Sequence, residues 1–381
     1  MPLGKNRLPK IEVRGVHTPL TSYYVTIHGG FPLSADDNKV FKINQIFENA
    51  SLKNKNKQVV ISCIAEPMLF ATRDHIEKKS KGTSWFEFLH GLSKKFQFPE
   101  TNIVLLTSNV YGAESYDKWC IENQIDKRIN VYSQPKRLWL ERLFLNGCSY
   151  LEKEETKHVS MFVGRPTLHR NFVLQWYLKN IVNTPRIEKM ITSFFYKNFN
   201  IADEWHLTEE ETKWFRYLEN NTTVPNKWLG ETEDFKNSFA SCLFNFNIDY
   251  HEAENFQSYE DYKEFKNKNS WWKEDMISEK LFRSFIYKRP FIRLGMPHSL
   301  KVLRSWGFKT FDGVLFDESY DDIEDCFERT NHILNQVTLY LDMPFENLKE
   351  KIYSRDVQEI LDYNYKLAYE IYNDKEDLIN V

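Results

Sequence analysis

The sequence predicts an α/β protein of two layered domains facing a cleft, followed by a helical tail. Three observations lead there. The chain has 381 residues, beyond the roughly 250–300 at which a single core stops growing, so two lobes are expected. Short apolar runs alternate with amphipathic stretches through the first 150 residues, as in a layered domain with a mainly parallel sheet. From Cys326 to Asn380 the pattern is strongly helical.

Tyr23–Ile27, Val59–Ile64 and Ile103–Thr107 read as buried strands, because β-branched and aromatic residues fill short runs bounded by turn signals. Ser84–Phe96 and Ser115–Asn123 read as amphipathic helices between them. Loops that follow such strands carry function. Here they are His28-Gly29-Gly30, Ala65-Glu66-Pro67 and Ser108-Asn109.

The charged run Glu152–Lys157 is the candidate linker, so the expected domains are 1–155, 156–340 and a tail, 341–381, packing back on the first. Past the linker come a strand, His158–Val163, a basic turn, Gly164–Arg170, and a helix, Phe172–Ile181. After a mixed acidic and aromatic region, a strand is expected at Ser241–Ile248. A short helix from Glu279, a core strand at Pro290–Leu294, a helix at His298–Trp306 and a strand at Gly313–Phe316 follow.

Composition narrows the class. With 41% hydrophobic residues, 29 Phe, 20 Tyr and 10 Trp, the chain is no disordered polypeptide. Against 51 Lys plus Arg stand 54 Asp plus Glu, a net charge of -3, so no global positive field points to nucleic acid or an anionic membrane. Any anion site is local. Cys63, Cys120, Cys148, Cys242 and Cys326 are scattered without a CxxC pair, which fits a reducing compartment and no structural zinc. No run of about 18 apolar residues occurs, and a soluble, cytoplasmic protein without a membrane span is expected.

Two motifs point to chemistry. In the turn before the helix at 172, Arg165, His169 and Arg170 lie where backbone N–H groups and a helix dipole favour an anion. Arginine suits a diphosphate because its fork engages two oxygens, although the same residues serve equally as surface ion-pair partners. In MISEKLFRSFIYKRPFIRLG, Ser278 can cap a helix and Glu279 in its first turn is favoured by the dipole. Lys280 gains nothing from that end unless an anion sits there. Gly295 lets the chain turn close to a ligand.

The stretch Met276–Gly295 resembles the donor-binding segment of α-1,3-fucosyltransferase-like glycosyltransferases and their viral relatives, with the GT-B architecture of two facing Rossmann-like domains. Phe162–Pro166 with His169-Arg170 is similar to the first strand and basic turn of their donor domain. Ser299–Leu303, Gly307–Asp312 and Phe316–Asp321 look like the viral members. Tyr287–Arg289 depart from the small residues usual in the fucosyltransferases.

The resemblance implies a metal-independent transfer of a sugar from a nucleotide-sugar co-substrate to an acceptor hydroxyl, with inversion and no other cofactor. Glu279 would meet the ribose, and Lys280 with Arg165 or Arg170 the diphosphate. The acceptor is a glycan or a hydroxymethylated base in viral DNA, the latter placing the protein in a host cytoplasm. Lys136–Trp139 with Arg142 is a basic, aromatic stretch that suits DNA, and equally an amphipathic helix face. A base near the acceptor is expected at Glu66, with Asp74 and His75 next.

Two alternatives stand beside this. One is a non-catalytic α/β module that keeps a sugar or nucleotide pocket. The other is a metal-dependent transferase using Asp317, next to Glu318 after a strand. The chain carries no G-x-S-x-G, G-x-x-x-x-G-K-[ST] or G-x-G-x-x-G, which argues against hydrolase, NTPase and dinucleotide chemistry.

Overall fold

A computed structural model describes residues 21–27, 38–53, 58–63, 85–133, 135–163, 168–194, 209, 213, 233–249, 259–268, 275 and 277–373. The expectations placed on His28-Gly29-Gly30, Glu66, Asp74, His75 and Arg165 lie outside the described residues.

The first unit is a four-stranded parallel sheet in the order β1 (Thr21–Ile27), β2 (Gln58–Cys63), β3 (Ile103–Thr107), β4 (Asn130–Ser133). Val59, Val60 and Ile61 are all buried, as are Ile103, Val104 and Leu105. A strand covered on both faces reads as a continuous apolar run, and parallel strands are covered because their crossovers are helices. Those crossovers are α1 (Asn38–Lys53), α2 (Trp85–Phe96) and α3 (Gly112–Glu122). Ile43, Phe47 and Ala50 fall on one face of α1 at helical spacing and share a core with Phe86, Leu89, Tyr116 and Trp119.

The second unit is also parallel, in the order β6 (Met190–Phe194), β5 (Lys157–Val163), β7 (Cys242–Ile248), β8 (Phe291–Leu294). From β5 the chain passes through α5 (Leu168–Asn180) to β6 on one side, then returns to β7 on the other. That reversal makes the C-terminal ends of β5 and β7 a topological switch point, where open α/β sheets form a crevice. All of β7 is buried, and the short β8 is buried throughout.

The second core takes residues from both sides of the expected linker. Helix α4 (Pro135–Leu145) contributes Trp139, Leu140 and Leu143 to it. Helices α6 (Glu233–Ala240), α7 (Tyr259–Lys268), α8 (Glu279–Ile286), α9 (Ser299–Ser305) and α10 (Cys326–Asp342) follow in the chain. The tail folds as α11 (Phe345–Ile352) and α12 (Arg355–Asn373), and α12 lies against α4 and α8. Its Val357, Ile360, Leu361 and Ala368 join the second core. The tail therefore meets the range 1–155 through α4, which packs with the second sheet rather than the first. At 313–316 there is no strand: the chain makes a tight turn closed by a single bridge between Asp312 and Phe316. Gly313 turns it with a φ of 68°, a conformation that side chains disfavour.

Trp139 is 1% exposed in the second core. Trp139→Ala is expected to destabilise the protein by about 3–5 kcal/mol, measured by chemical denaturation. Hydrogen exchange should then speed up in α12 and the second sheet, with the first sheet still protected.

Candidate functional site

At the switch point the carbonyl ends of the second sheet gather a buried charged network. Helix α8 starts there because Ser278 is extended, with φ -91° and ψ 179°, and its hydroxyl accepts from the Lys280 N–H at 3.3 Å. Leu281, Phe282, Phe285 and Ile286 then bury one face of the helix in the core. Glu279 sits in the first turn, where the macrodipole favours a carboxylate, and lies 3.9 Å from Arg283. The Arg283 guanidinium lies over the Phe235 ring, 4.9 Å from its centroid.

Asp249, the residue after β7, organises the rest. It is fully buried, and its carboxylate accepts from the Ser278 N–H at 3.0 Å. Arg293 approaches the same carboxylate at 3.4 Å and Lys280 at 3.9 Å. Burial works against its charge, yet Arg293, then Lys280 and the Ser278 donors, hold its pKa below the ordinary value. The Asp249 carbonyl accepts from His169 at 3.1 Å and from Arg170 at 3.4 Å. Both of these are buried in the first turn of α5. Two helix starts thus converge on one aspartate.

Arg293 lies in β8 with its side chain wholly buried, and it also reaches Asp275 at 3.4 Å. Burial first, then the nearby Asp249, raises the Asp275 pKa to about 6, although Arg293 pulls it down. Gly295 explains how the guanidinium fits: a side-chain carbon there would lie 2.4 Å from an Arg293 nitrogen. The close approach that Gly295 permits is to this arginine. Its carbonyl accepts from Arg329 at 3.1 Å.

Beside this network a pocket opens, lined by Phe162, Phe235, Phe246, Asn247, Lys280 and Arg283. Under α8 runs a buried polar row in which Ser160 donates to Asn245, and Asn247 donates to Ser284 at 3.0 Å.

The structure brings His169, Arg170, Glu279, Lys280 and Gly295 to one end of one sheet. Asp317 stands apart and exposed, accepting from the Ser319 N–H at 2.9 Å and lying 3.3 Å from His332. Among the described residues no three His, Cys, Asp or Glu side chains gather as metal ligands. Asp321 caps α9, accepting from the N–H groups of Leu300 and Lys301 at 3.0 and 3.1 Å. Of the basic stretch, Trp139 is core. No described helix is long and apolar enough to cross a membrane.

Sequence reasoning missed Asp249, Asp275 and Arg293. One signal was present: an arginine inside the apolar run Phe291–Leu294 must be buried with the strand, and a buried guanidinium needs a carboxylate. Arg293→Met should cost about 3–5 kcal/mol at neutral pH, since it strands two buried carboxylates. In the wild type the raised pKa of Asp275 means its contribution to stability falls as pH rises from the ordinary 3.8 to about 6. Without Arg293 both carboxylates favour their protons, so the loss measured by denaturant titration should shrink from pH 7.5 to pH 5. A loss independent of pH would contradict this charge balance.

No protein-family model matches the sequence, and no curated protein matches it. Among solved structures, similarity is found to a T4 phage BGT mutant in complex with UDP-glucose, at 8% identity and a TM-score of 0.39, over 94% of this chain and 80% of that one. A DNA-modifying β-glucosyltransferase is similar at 10% identity and a TM-score of 0.35, over 94% of this chain and 99% of that one. An α1,3-fucosyltransferase follows at 14% identity and a TM-score of 0.30, over 93% of this chain and 80% of that one. At such low scores the functional reading rests on the chain's own geometry.

Proposed function

We propose that the protein is a GT-B-like glycosyltransferase that moves a sugar from a nucleotide donor to an acceptor hydroxyl. The observation that carries the reading is Lys280, a 9% exposed cation at a helix start, beside the switch point of a parallel sheet. A lysine at that end of a helix opposes the dipole, and a bound anion offsets the conflict. A diphosphate placed there would meet the Lys280 ammonium and the positive end of the α8 dipole, with the first turn of α5 close by. Glu279, partly exposed in the same turn, would accept the hydroxyls of a ribose.

The chemistry follows from where charge grows. As the bond from the anomeric carbon to the diphosphate oxygen breaks, negative charge builds on the leaving nucleoside diphosphate. A fixed ammonium in a partly dry site stabilises that charge more than the ground state and needs no divalent ion for the task. Asp249 holds the Lys280 ammonium in place between turnovers. On the opposite side an acceptor oxygen attacks the anomeric carbon and gives its proton to a base, for which Glu66 is the proposed residue, with inversion. The acceptor class is a glycan or a hydroxymethylated DNA base.

A thermal-shift panel of GDP, UDP, ADP and CMP sugars should identify one nucleotide that raises the melting temperature by mass action. Slow release of nucleoside diphosphate from that donor without acceptor separates a transferase from a binding module. Lys280→Ala should weaken the nucleoside diphosphate by about 1.5–3 kcal/mol, the scale of one charged hydrogen bond, and leave the free nucleoside unchanged. Glu279→Gln should weaken both. Equal losses for both ligands in Lys280→Ala would remove the lysine from the phosphate.

A further inference from the structure

Among the described residues, the turn that leaves β3 meets the second unit at Asp275. Asn109 is fully buried there. Its side-chain oxygen accepts from the Tyr111 N–H at 3.0 Å, shaping the entry to α3, and from the Asp275 N–H at 3.1 Å across the junction. The Val110 N–H donates to the Asp275 carbonyl at 2.9 Å, and the Val110 side chain packs against the second core. Both backbone polar groups of Asp275 are therefore held by the turn after β3, and its carboxylate is held by Arg293. From Arg293 the contacts continue to Asp249 and so to Lys280.

The chain of contacts is continuous: Asn109, Asp275, Arg293, Asp249, Lys280. Its two ends belong to different units, Asn109 to the turn after β3 and Lys280 to the start of α8. A carboxamide suits the joint because one neutral oxygen can take two N–H groups without adding charge beside two buried carboxylates. An unpaired Asp275 N–H in this dry place is costly enough to shift the junction to another arrangement.

We propose that Asn109 is a positioning residue: by holding Asp275 it fixes the first α/β unit against the donor crevice, so that sugar transfer depends on it while donor binding does not. The inference rests on the transferase reading above. A donor bound wholly by the second unit would not sense the junction. An acceptor presented by the first unit would, because reaction requires the attacking oxygen and anomeric carbon within a near-attack distance, and a misplacement of about 1 Å costs on the order of 100-fold in rate.

The test uses the full chain with Asn109→Ala and Asn109→Ser, the latter keeping a neutral oxygen that can accept an N–H group. With Asn109→Ala, transfer to acceptor should fall on the order of 100-fold. Donor hydrolysis without acceptor and nucleoside diphosphate affinity should both stay within a few-fold of wild type. Asn109→Ser should transfer faster than Asn109→Ala. A parallel fall in affinity and transfer, or an unaffected transfer rate, overturns the proposal, as does a Ser variant as poor as the Ala one.

Hydrogen exchange tests the joint itself without any substrate. In Asn109→Ala the amides of Tyr111 and Asp275 should exchange faster while β7 and β8 stay protected. Unchanged exchange at Asp275 refutes the coupling, and uniformly faster exchange shows a merely structural role. If the wild type binds no sugar nucleotide, the transferase reading fails while this arm still decides whether Asn109 couples the two units.

Discussion

The structure depends on one buried arginine held between two buried aspartates. Moving three charges out of water costs several kcal/mol for each, and their mutual attraction recovers this only with good geometry and further hydrogen bonds. Here the geometry comes from three separate segments: Arg293 from β8, Asp249 from the end of β7, and Asp275 from the approach to α8. Removing any one of them leaves a buried charge short of a partner. The Ser278 amide and the Lys280 ammonium complete the coordination of Asp249, so the start of α8 is fixed by the same balance that keeps the arginine buried.

That arrangement lies at the end of the sheet where the strand order reverses. The order β6-β5-β7-β8 sends α5 and the return crossover to opposite sides, which makes the ends of β5 and β7 the switch point of the sheet. Helix starts placed there present N–H groups and partial positive charge, worth roughly 0.3–1 kcal/mol to a nearby anion at an exposed site and up to about 2 when partly buried. Asp249 is such an anion from the protein itself. It accepts at the mouth of α8 through its carboxylate and at the first turn of α5 through its carbonyl.

Much of the fold was legible because a parallel strand buried on both faces reads as a largely apolar run. β2 and β3 were readable for that reason, and β5 and β7 were readable although His158, Ser160, Asn245 and Asn247 interrupt them. β4 has only half-buried residues and β6 contains polar ones, so neither stood out as a continuous run. Helix α4 looked like part of the first domain since sequence adjacency says nothing about which core Trp139 enters. In the site, Glu279 and Lys280 were legible because a lysine at a helix start contradicts the dipole. Asp249 and Asp275 were not, and Asn109 was legible only as part of a loop after a strand, without its partner. Their roles arise from contacts such as that between Asn109 and Asp275, 166 positions apart in the chain, and no local pattern encodes such a pairing.

The same balance explains how a lysine can wait at a helix start without a ligand. At 3.9 Å its ammonium is too far from Asp249 for a hydrogen bond. What remains is Coulombic attraction, strengthened by a side chain only 11% exposed facing a carboxylate that is wholly buried. Arg293 meanwhile draws the Asp249 charge toward the protein interior, so Lys280 faces a carboxylate already partly compensated. An anion arriving from the crevice then meets a lysine whose carboxylate neighbour Asp249 is already shared with Arg293. Asp249 retains Arg293 and the Ser278 N–H throughout, so the network keeps its charges paired with or without a guest.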